Sequence, residues 1–296
     1  MKVAVFGQFF YPDSGKYVQQ LLSVLKNESI QVYIESQYYH LLLDKHILNE
    51  ANNYKTFTAL DRSFDLFFSL GGDGTILSAV DFVKQLEIPI VGINTGRLGF
   101  LASIHKEEIQ PAIDEILSQN YSITERSLLE VKTNASNFPE KCFALNEMAI
   151  SRRNTTAMIT VETWLNEEYL NAYWSDGIIL STPTGSTGYS LSCGGPVITP
   201  ESNSLVLTPI APHNLNARPL VFPDQHSTRF KVSTREKDFL VSVDSKVFTV
   251  PANTEVKVSK ADFSIHLVSL KSDSFLQTLR KKLLWGEDSR NFKNQN

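Results

Sequence analysis

The pattern of apolar residues changes its period near residue 120, and this change divides the chain into two predicted domains. Before it, apolar runs such as Lys2–Phe6, Asp65–Leu70 and Ile88–Ile93 alternate with segments of helical spacing such as Thr75–Leu86. Near-continuous apolar strands separated by helices predict a parallel sheet covered on both faces. We therefore predict an α/β domain over residues 1–125.

The second part of the chain has the sequence pattern of an all-β domain. From Tyr121 to Val268 it contains many short segments rich in Val, Ile, Thr, Phe and Tyr, separated at close spacing by turn-type residues. Helical spacing returns only at the end, in an apolar stripe that begins at Phe275. We predict a layered, sandwich-like β domain over residues 126–271 and a C-terminal helix at 272–296 that packs back on the first domain.

Composition narrows the class of protein. The 296 residues carry a formal net charge of -4, which argues against the basic surface of a nucleic-acid-binding protein. No apolar run reaches the roughly 18 residues that a membrane span needs. The two cysteines, Cys142 and Cys193, are far apart and not in metal-binding spacing. We expect a cytoplasmic protein with reduced cysteines that binds neither nucleic acid nor membranes.

A glycine-rich motif, Gly71-Gly72-Asp73-Gly74-Thr75, follows the apolar run Leu66–Leu70 and directly precedes a helical segment. Its glycines let the backbone approach a ligand closely, and the helix start offers unpaired N–H groups to a phosphate. A carboxylate there repels phosphate unless it binds a cation or accepts a proton, and both roles belong to phosphoryl transfer. The alternative is a tight turn in which Asp73 or Thr75 only caps the helix. The spacing fits neither a Walker motif nor the dinucleotide fingerprint.

A second unusual stretch is rich in hydroxyl residues. It follows the apolar run Ile178–Leu180 and reads Ser181-Thr182-Pro183-Thr184-Gly185-Ser186-Thr187-Gly188-Tyr189-Ser190. Such a segment can offer hydroxyl and backbone donors to a polar ligand, and an aromatic ring on which a base can stack. Taken alone, its composition is equally typical of a solvated Ser/Thr loop.

The order of the motifs resembles that of NAD kinases over nearly the whole chain. GGDG alone is weak support, because diacylglycerol kinases, sphingosine kinases and phosphofructokinases carry related motifs. The TPTGST loop with an upstream Asn-Glu pair is more specific. The resemblance implies the fold shared by NAD kinases and diacylglycerol kinases. The matching segments are GGDGT, GINTGRLGFL (Gly92–Leu101), LNEM (Leu145–Met148), SDGIILSTPTGSTGYSLSCGGP (Ser175–Pro196) and TPIAPHNLNARPLVFP (Thr208–Pro223).

The resemblance also implies roles for individual residues. Asp73 corresponds to the proposed proton acceptor of the family. Asn146 and Glu147 correspond to the pair that contacts the base and the ribose hydroxyls of NAD, and Asp176 corresponds to a residue on the nicotinamide side. Further positions expected to contact or flank the substrates are Gly72, Gly74, Asn94, Phe100, Leu101, Thr187, Gly188, Tyr189, Ser192 and Ala211.

Three positions depart from the family pattern. Gly188 stands where alanine is commonest, and we expect it to enlarge the floor of the pocket slightly. Lys246 stands where glutamine is frequent; it either contacts phosphate or points to solvent, and we favour solvent. Trp174 stands where a polar or basic residue is often found, and the sequence does not tell how it affects the choice between NAD and NADH.

The implied reaction moves the γ-phosphate of ATP, or of another phosphate donor, to the 2′-hydroxyl of the adenosine ribose of NAD, making NADP. Mg²⁺ or another divalent ion is expected on the phosphates and not on a set of protein ligands. We expect the site in the cleft between the domains. The resemblance further implies a homodimer or homotetramer in which a neighbouring subunit completes the pocket.

Two other functions remain open at this point. A lipid kinase of the diacylglycerol or sphingosine type shares GGDGT and the two-domain plan, but it leaves the Asn146–Glu147 pair and the TPTGST loop unexplained. A non-catalytic dinucleotide-sensing module has the same fold. Such a module would be favoured by an altered Asp73 or Asn146–Glu147 pair, and both motifs are intact.

Overall fold

The structure is a computed structural model that describes residues 1–8, 14–96, 99–154, 157–271 and 274–285. The chain divides into two compact units, Met1–Thr124 with Ile265–Asn296, and Glu125–Ser264. Arg97 and Leu98 of the GINTGRLGFL segment lie outside the described residues, as do 272–273 and 286–296 of the predicted C-terminal helix.

The first unit is built on a parallel sheet, as predicted. Its strands are in the order β3-β2-β1-β4-β5, with β6 parallel to β5. Strands β4 and β5 are buried along their whole length, which explains their continuous apolar sequences. The elements are β1 Lys2–Gly7, α1 Ser14–Asn27, β2 Gln31–Glu35, α2 Ser36–Asp44, β3 Lys55–Phe57, β4 Leu66–Gly71, α3 Asp73–Val83, β5 Ile90–Asn94, β6 Ile104–His105 and α4 Ile109–Leu117.

The structure adds α2, β3 and the two-residue β6 to the predicted elements of this unit. Helix α2 begins directly after β2, and the buried Glu35 caps it by accepting the N–H groups of Gln37 and Tyr38. A glutamate in this role follows no common capping pattern, so local sequence signals do not predict a helix start here.

The second unit consists of antiparallel strands, which confirms the predicted β domain. One sheet has the order β14-β13-β12-β9-β16-β17, and a second set of strands pairs in the order β11-β10-β15-β18. The elements are β7 Tyr121–Thr133, β8 Cys142–Ala144, β9 Glu147–Ser151, β10 Ile159–Leu165, β11 Glu168–Ser175, β12 Gly177–Ser181, α5 Tyr189–Ser192, β13 Ser204–Ile210, β14 Leu220–Pro223, β15 Thr228–Ser233, β16 Asp238–Val243, β17 Lys246–Pro251 and β18 Glu255–Leu270.

One apolar cluster joins the two sets of strands in the second unit. It includes Val161 and Phe230 from one set and Ile178 and Phe239 from the other, all fully buried. Alternate residues of facing sheets therefore form the core, as in a layered sandwich.

The last described element is α6 Phe275–Leu283, which lies within the range predicted for the C-terminal helix and ends before the described residues do. Its Leu279 is buried, and the ring of Phe275 lies 6.1 Å from that of Phe100 in the first unit. Within the described ranges, no helix combines the length and apolar character needed to cross a membrane.

A cluster of phenylalanines stabilises the sheet of the first unit. The ring of Phe67 on β4 is fully buried and lies 6.0 to 6.3 Å from the rings of Phe6, Phe57 and Phe82. We predict that Phe67→Ala lowers the free energy of unfolding by about 3–5 kcal/mol, because it leaves a cavity that close-packed neighbours fill poorly. Urea denaturation measures this change. Leu215→Ala, at a side chain that is 89% exposed, is the control and should change stability little. Equal stability of the two variants would contradict this description of the core.

Candidate functional site

The glycine motif places Asp73 at the first turn of α3, but its carboxylate does not cap that helix. The N-cap residue is Gly72. The Asp73 Oδ2 accepts the backbone N–H of Phe100 at 2.7 Å, and its Oδ1 accepts those of Leu101 at 3.0 Å and Ala102 at 3.1 Å. One side chain thus binds three successive amides, so Asp73 fixes the backbone of residues 100–102 to the start of α3.

The glycines around Asp73 serve two different purposes. A methyl group at Gly71 would collide with the side chain of Thr75, and one at Gly99 would collide with the Asp73 carboxylate. Both glycines are therefore required by the packing of this unit. At Gly72 and Gly74, in contrast, a methyl group would meet no atom of the described residues within 4 Å beyond the adjoining residues and the backbone of α3 itself. The space beside these two residues is open to a ligand.

Two predicted flanking residues are engaged within the first unit. Asn94 ends β5, is buried, and accepts the N–H of Gly96 at 2.8 Å. The ring of Phe100 packs against Phe275, and the Nζ of Lys282 lies 4.9 Å from its centroid. We conclude that both side chains shape the segment around Asp73.

In the second unit, the structure brings the Asn146–Glu147 pair and the hydroxyl-rich segment together. Strands β9 and β12 are antiparallel, with Glu147 opposite Ser181. The N–H of Thr182 donates to the Asn146 carbonyl at 2.9 Å, and a methyl group at Gly185 would collide with the Asn146 backbone. Two motifs that are 35 residues apart in the sequence therefore form one structure.

The hydroxyl-rich segment is not a solvated loop, so that alternative is wrong. It forms a short 3-10 helix, Thr184–Thr187, followed by α5. The buried Oγ of Ser186 donates to the Pro183 carbonyl at 2.6 Å, and the buried Ser190 hydroxyl bonds that of Thr208 at 2.8 Å. Many of the hydroxyl groups thus hold the segment itself.

Of the predicted contacts in this segment, the exposed side chains belong to Tyr189 and Ser192. Tyr189 is 44% exposed, so a face of its ring is accessible. Thr187 is half-buried, and its Oγ1 donates to the Thr184 carbonyl at 3.2 Å. Tyr189 and Ser192 are therefore better placed than Thr187 to meet a ligand with their side chains.

Asp244 belongs to this arrangement and was not identified from the sequence. It lies between β16 and β17 with a positive φ of 50°. Its Oδ2 accepts the N–H of Leu145 at 2.8 Å, and its Oδ1 accepts those of Asn146 at 2.9 Å and Glu147 at 3.1 Å. Burial raises the pKa of Asp244 to about 6, although these three donors and the charge of Lys246 lower it. The exposed Lys246 thus lies near this carboxylate.

The carboxyl group of Glu147 is the least satisfied polar group of the site. Its Oε2 is buried and makes no hydrogen bond with the part of the chain that the structure describes. Burial first, and then the charge of Asp244, raise the pKa of Glu147 to about 7, against the lowering effect of the Tyr189 backbone N–H. A methyl group at Gly188 would lie 2.9 Å from Oε2. The space left by the missing methyl group thus lies next to Glu147. The expectation that Gly188 enlarges the floor of the pocket stays a prediction.

Asp176 is held by an arginine that the sequence did not single out. Its Oδ2 lies 2.9 Å from Nη2 of Arg152, and its backbone N–H donates to the Ile210 carbonyl at 3.0 Å. Ala211 follows directly, is exposed, and has a positive φ of 43°, which is uncommon for alanine. Asp176 and Ala211 therefore lie at adjacent strand ends.

Trp174 lies at the end of β11 and is 47% exposed. Its ring centroid is 4.3 Å from that of His213, and its carbonyl accepts the His213 N–H at 2.9 Å. The pair presents an aromatic surface near Asp176. Across the described part of the chain, no three His, Cys, Asp or Glu side chains are grouped so that they could hold a metal ion.

Comparison with known proteins agrees with these motifs. Two family models match the chain: the ATP-NAD kinase N-terminal domain over residues 8–121 and the ATP-NAD kinase C-terminal domain over residues 145–270. An NAD kinase of Christiangramia forsetii is 53% identical over 294 residues, which cover 98% of this chain and 100% of that protein.

Two solved structures are similar to this chain. The crystal structure of an NAD kinase from Archaeoglobus fulgidus in complex with ATP has a TM-score of 0.74 at 26% identity, covering 96% of this chain and 99% of that one. The crystal structure of yeast NADH kinase complexed with NADH has a TM-score of 0.85 at 23% identity, covering 97% and 88%. The second likeness concerns the fold alone.

The hydroxyl of Thr182 connects the two motifs of the second unit. It donates to the Leu145 carbonyl at 2.6 Å and accepts the Gly185 N–H at 3.1 Å, and the residue is fully buried. We predict that Thr182→Val, which keeps the shape and removes the hydroxyl, lowers the free energy of unfolding by about 1–3 kcal/mol. Thr182→Ser retains the hydroxyl and should recover a large part of this loss. Unchanged stability of Thr182→Val in urea would show that this hydroxyl does not hold the segment.

Proposed function

The chain belongs to the NAD kinase family and is thus a phosphotransferase that acts on NAD with ATP, and we propose how its residues carry out this reaction. In our proposal, Asn146 and Glu147 bind NAD, the start of α3 binds the phosphates of ATP, and Asp73 accepts the proton of the 2′-hydroxyl of the adenosine ribose. The observation that carries the proposal is the buried Oε2 of Glu147, which has no hydrogen-bond partner among the described residues, with the exposed Tyr189 close enough for Glu147 to raise the pKa of its hydroxyl.

NAD supplies the hydrogen-bond partners that the second unit lacks. Buried polar atoms in proteins are nearly always hydrogen-bonded, so the free Oε2 of Glu147 calls for a donor from the substrate. A ribose hydroxyl is such a donor. Tyr189 offers an accessible ring face on which a base can stack. We propose that Asp176, Ser192 and Ala211 extend the same surface toward the nicotinamide side.

The start of α3 suits the phosphates of the donor. The first N–H groups of a helix have no partner within it, and the helix dipole favours an anion at this end. The open space at Gly72 and Gly74 lets phosphate oxygens approach the backbone closely. We propose that the ATP phosphates bind beside these two glycines.

Asp73 is fixed in position before any substrate binds. Three backbone N–H groups occupy all but about one of the four lone-pair directions of a carboxylate. We propose that the remaining direction, on Oδ2, receives the proton as the ribose oxygen bonds the γ-phosphorus and the bond from that phosphorus to the leaving ADP oxygen breaks. In a loose transition state this proton moves late, so positioning supplies most of the rate.

The described residues offer no preformed set of protein ligands for the divalent ion that such a transfer uses. The described residues lack a group of three suitable side chains, and the Asp73 oxygens already accept backbone donors. We propose that Mg²⁺ or another divalent ion belongs to the nucleotide substrate, held by its phosphates, where it neutralises their charge.

The cellular setting and assembly are also proposals. The free cysteines Cys142 and Cys193 suit the reducing cytoplasm, where we place the protein. The homodimer or homotetramer stays a prediction, which sedimentation analysis of the purified chain can test.

The direct test of this function is an assay of the full chain with NAD, ATP and Mg²⁺. We expect NADP with the new phosphate on the adenosine ribose, and no phosphorylated product when diacylglycerol replaces NAD. Phosphorylated lipid without NADP would favour the lipid kinase, and NAD binding without any transfer would favour the sensing module.

The role of Asp73 predicts a loss of turnover at unchanged affinity. We expect Asp73→Asn to bind NAD with a dissociation constant close to that of the wild type and to lose turnover by roughly 10²-fold or more, the scale of a lost general base. Calorimetric binding and initial rates measure the two quantities. Because Asp73 also holds residues 100–102, the melting temperature must be recorded. Unchanged turnover in a stable variant would reject the role.

A substitution at Gly74, which lies beside open space, can test ligand binding separately from folding. We expect Gly74→Ala to keep or raise the thermal stability, because alanine favours a helix over glycine by about 1 kcal/mol. Its methyl group occupies the space proposed for the phosphates, so KM for ATP should rise about tenfold or more, as for a steric overlap of 1–3 kcal/mol. Gly71→Ala, which collides with Thr75, should instead destabilise the protein. An unchanged KM for ATP in Gly74→Ala would place the phosphates elsewhere.

A further inference from the structure

The turn between β16 and β17 contacts the Asn146–Glu147 pair through its backbone as well as its side chain. The Asp244 N–H donates to the Glu147 carbonyl at 2.9 Å, while the Asp244 carboxylate accepts the N–H groups of Leu145, Asn146 and Glu147. Four hydrogen bonds from one residue therefore define the path of the chain at 145–147. Bonds to a carboxylate are stronger than those between neutral groups, and each donor left without a partner is unfavourable.

The same residue places a negative charge beside the Glu147 carboxyl. Asp244 raises the pKa of Glu147 in addition to the effect of burial, and burial raises the pKa of Asp244 itself. Among the described residues, Lys246 faces this pair and its charge lowers the pKa of Asp244, while the backbone N–H of Tyr189 lowers that of Glu147. The Tyr189 hydroxyl also faces Glu147: burial first, and then the charges of Cys193, Asp176 and Glu147, raise its pKa. Two such carboxyl groups resist being ionised together.

The hydrogen bonds decide which of the two carries the proton. Asp244 accepts three backbone N–H groups, all of which favour its ionised form. For Glu147, only the Tyr189 backbone N–H lowers the pKa in this way, and its Oε2 accepts no hydrogen bond from the described residues. The first proton taken up by the pair therefore resides on Glu147, whose Oε2 is free to carry it.

We propose that Asp244 is a positioning residue for NAD, which fixes the peptide of residues 145–147 and keeps a proton on Glu147 until the substrate binds. The proposal rests on the proposed contact of Glu147 with NAD. When a ribose hydroxyl donates to Oε2, the ionised form of Glu147 is favoured, and the proton leaves to solvent. NAD binding is then coupled to proton release near neutral pH.

The wild-type protein tests this coupling directly. Titration calorimetry of NAD into the full chain, in two buffers of different ionisation enthalpy at pH 7, measures the protons released on binding. We expect a substantial fraction of one proton for the wild type and none for Glu147→Gln. NAD binding without proton release in the wild type would overturn the proposal and leave the kinase activity unaffected, whereas absence of NAD binding would overturn the proposed function itself.

Asp244→Asn separates an electrostatic role from a purely structural one. In the wild type, KM for NAD should fall as pH rises through about 7, because the ionised Glu147 is the better acceptor. Without the charge of Asp244, the pKa of Glu147 falls, so the midpoint should move to lower pH by about one unit. The value of kcat should change little. A general loss of activity, with the midpoint of the pH dependence of KM unchanged, would show that Asp244 has a structural role alone. If Asp244→Asn is unstable, the calorimetric test on the wild-type protein decides the question.

Discussion

A carboxylate that accepts three successive backbone N–H groups supports each of the two segments on which the proposed chemistry depends. Asp73 holds residues 100–102 in the first unit, and Asp244 holds residues 145–147 in the second. Irregular backbone needs such acceptors, because it lacks the regular partners of a helix or sheet. A charged acceptor also gives stronger bonds than a neutral one. Each unit therefore contains a segment whose shape is set before substrate binds.

These contacts change the interpretation of the hydroxyl-rich segment. Thr182 and Ser190 use their hydroxyl groups to hold the segment against Leu145 and Thr208. The hydroxyl of Ser186 bonds the Pro183 carbonyl within the segment. In and beside this segment, what remains for a substrate is small: the carboxyl of Glu147, the ring of Tyr189, the exposed hydroxyl of Ser192 and a few backbone groups. Preorganised groups of this kind lose little entropy on binding, and in phosphoryl transfer positioning of the reactants supplies much of the rate.

The sequence predicted the architecture and the motifs, and it failed where a residue acts through distant partners. Continuous apolar runs identify β4 and β5 because those strands are buried throughout. The role of Asp244 cannot be predicted from local sequence, because its partner Asn146 is 98 residues away. Asp-Ser between two strands is also typical of an ordinary turn. Arg152 was missed for the same reason. The contacts of Asp73 with residues 100–102 were equally hidden, since nothing local distinguishes a carboxylate that caps its own helix from one that holds another segment. The roles of the individual substrate contacts stay predictions.

The most direct test of the claim that Asp73 and Asp244 hold these segments is a measurement of hydrogen exchange at the backbone amides of residues 100–102 and 145–147. If the two carboxylates hold these segments, both sets exchange slowly in the wild-type protein. Replacing Asp73 by alanine should accelerate exchange at 100–102 and leave 145–147 protected, and replacing Asp244 by alanine should do the reverse. Fast exchange of both sets in the wild type, or no response to either substitution, would contradict the central claim.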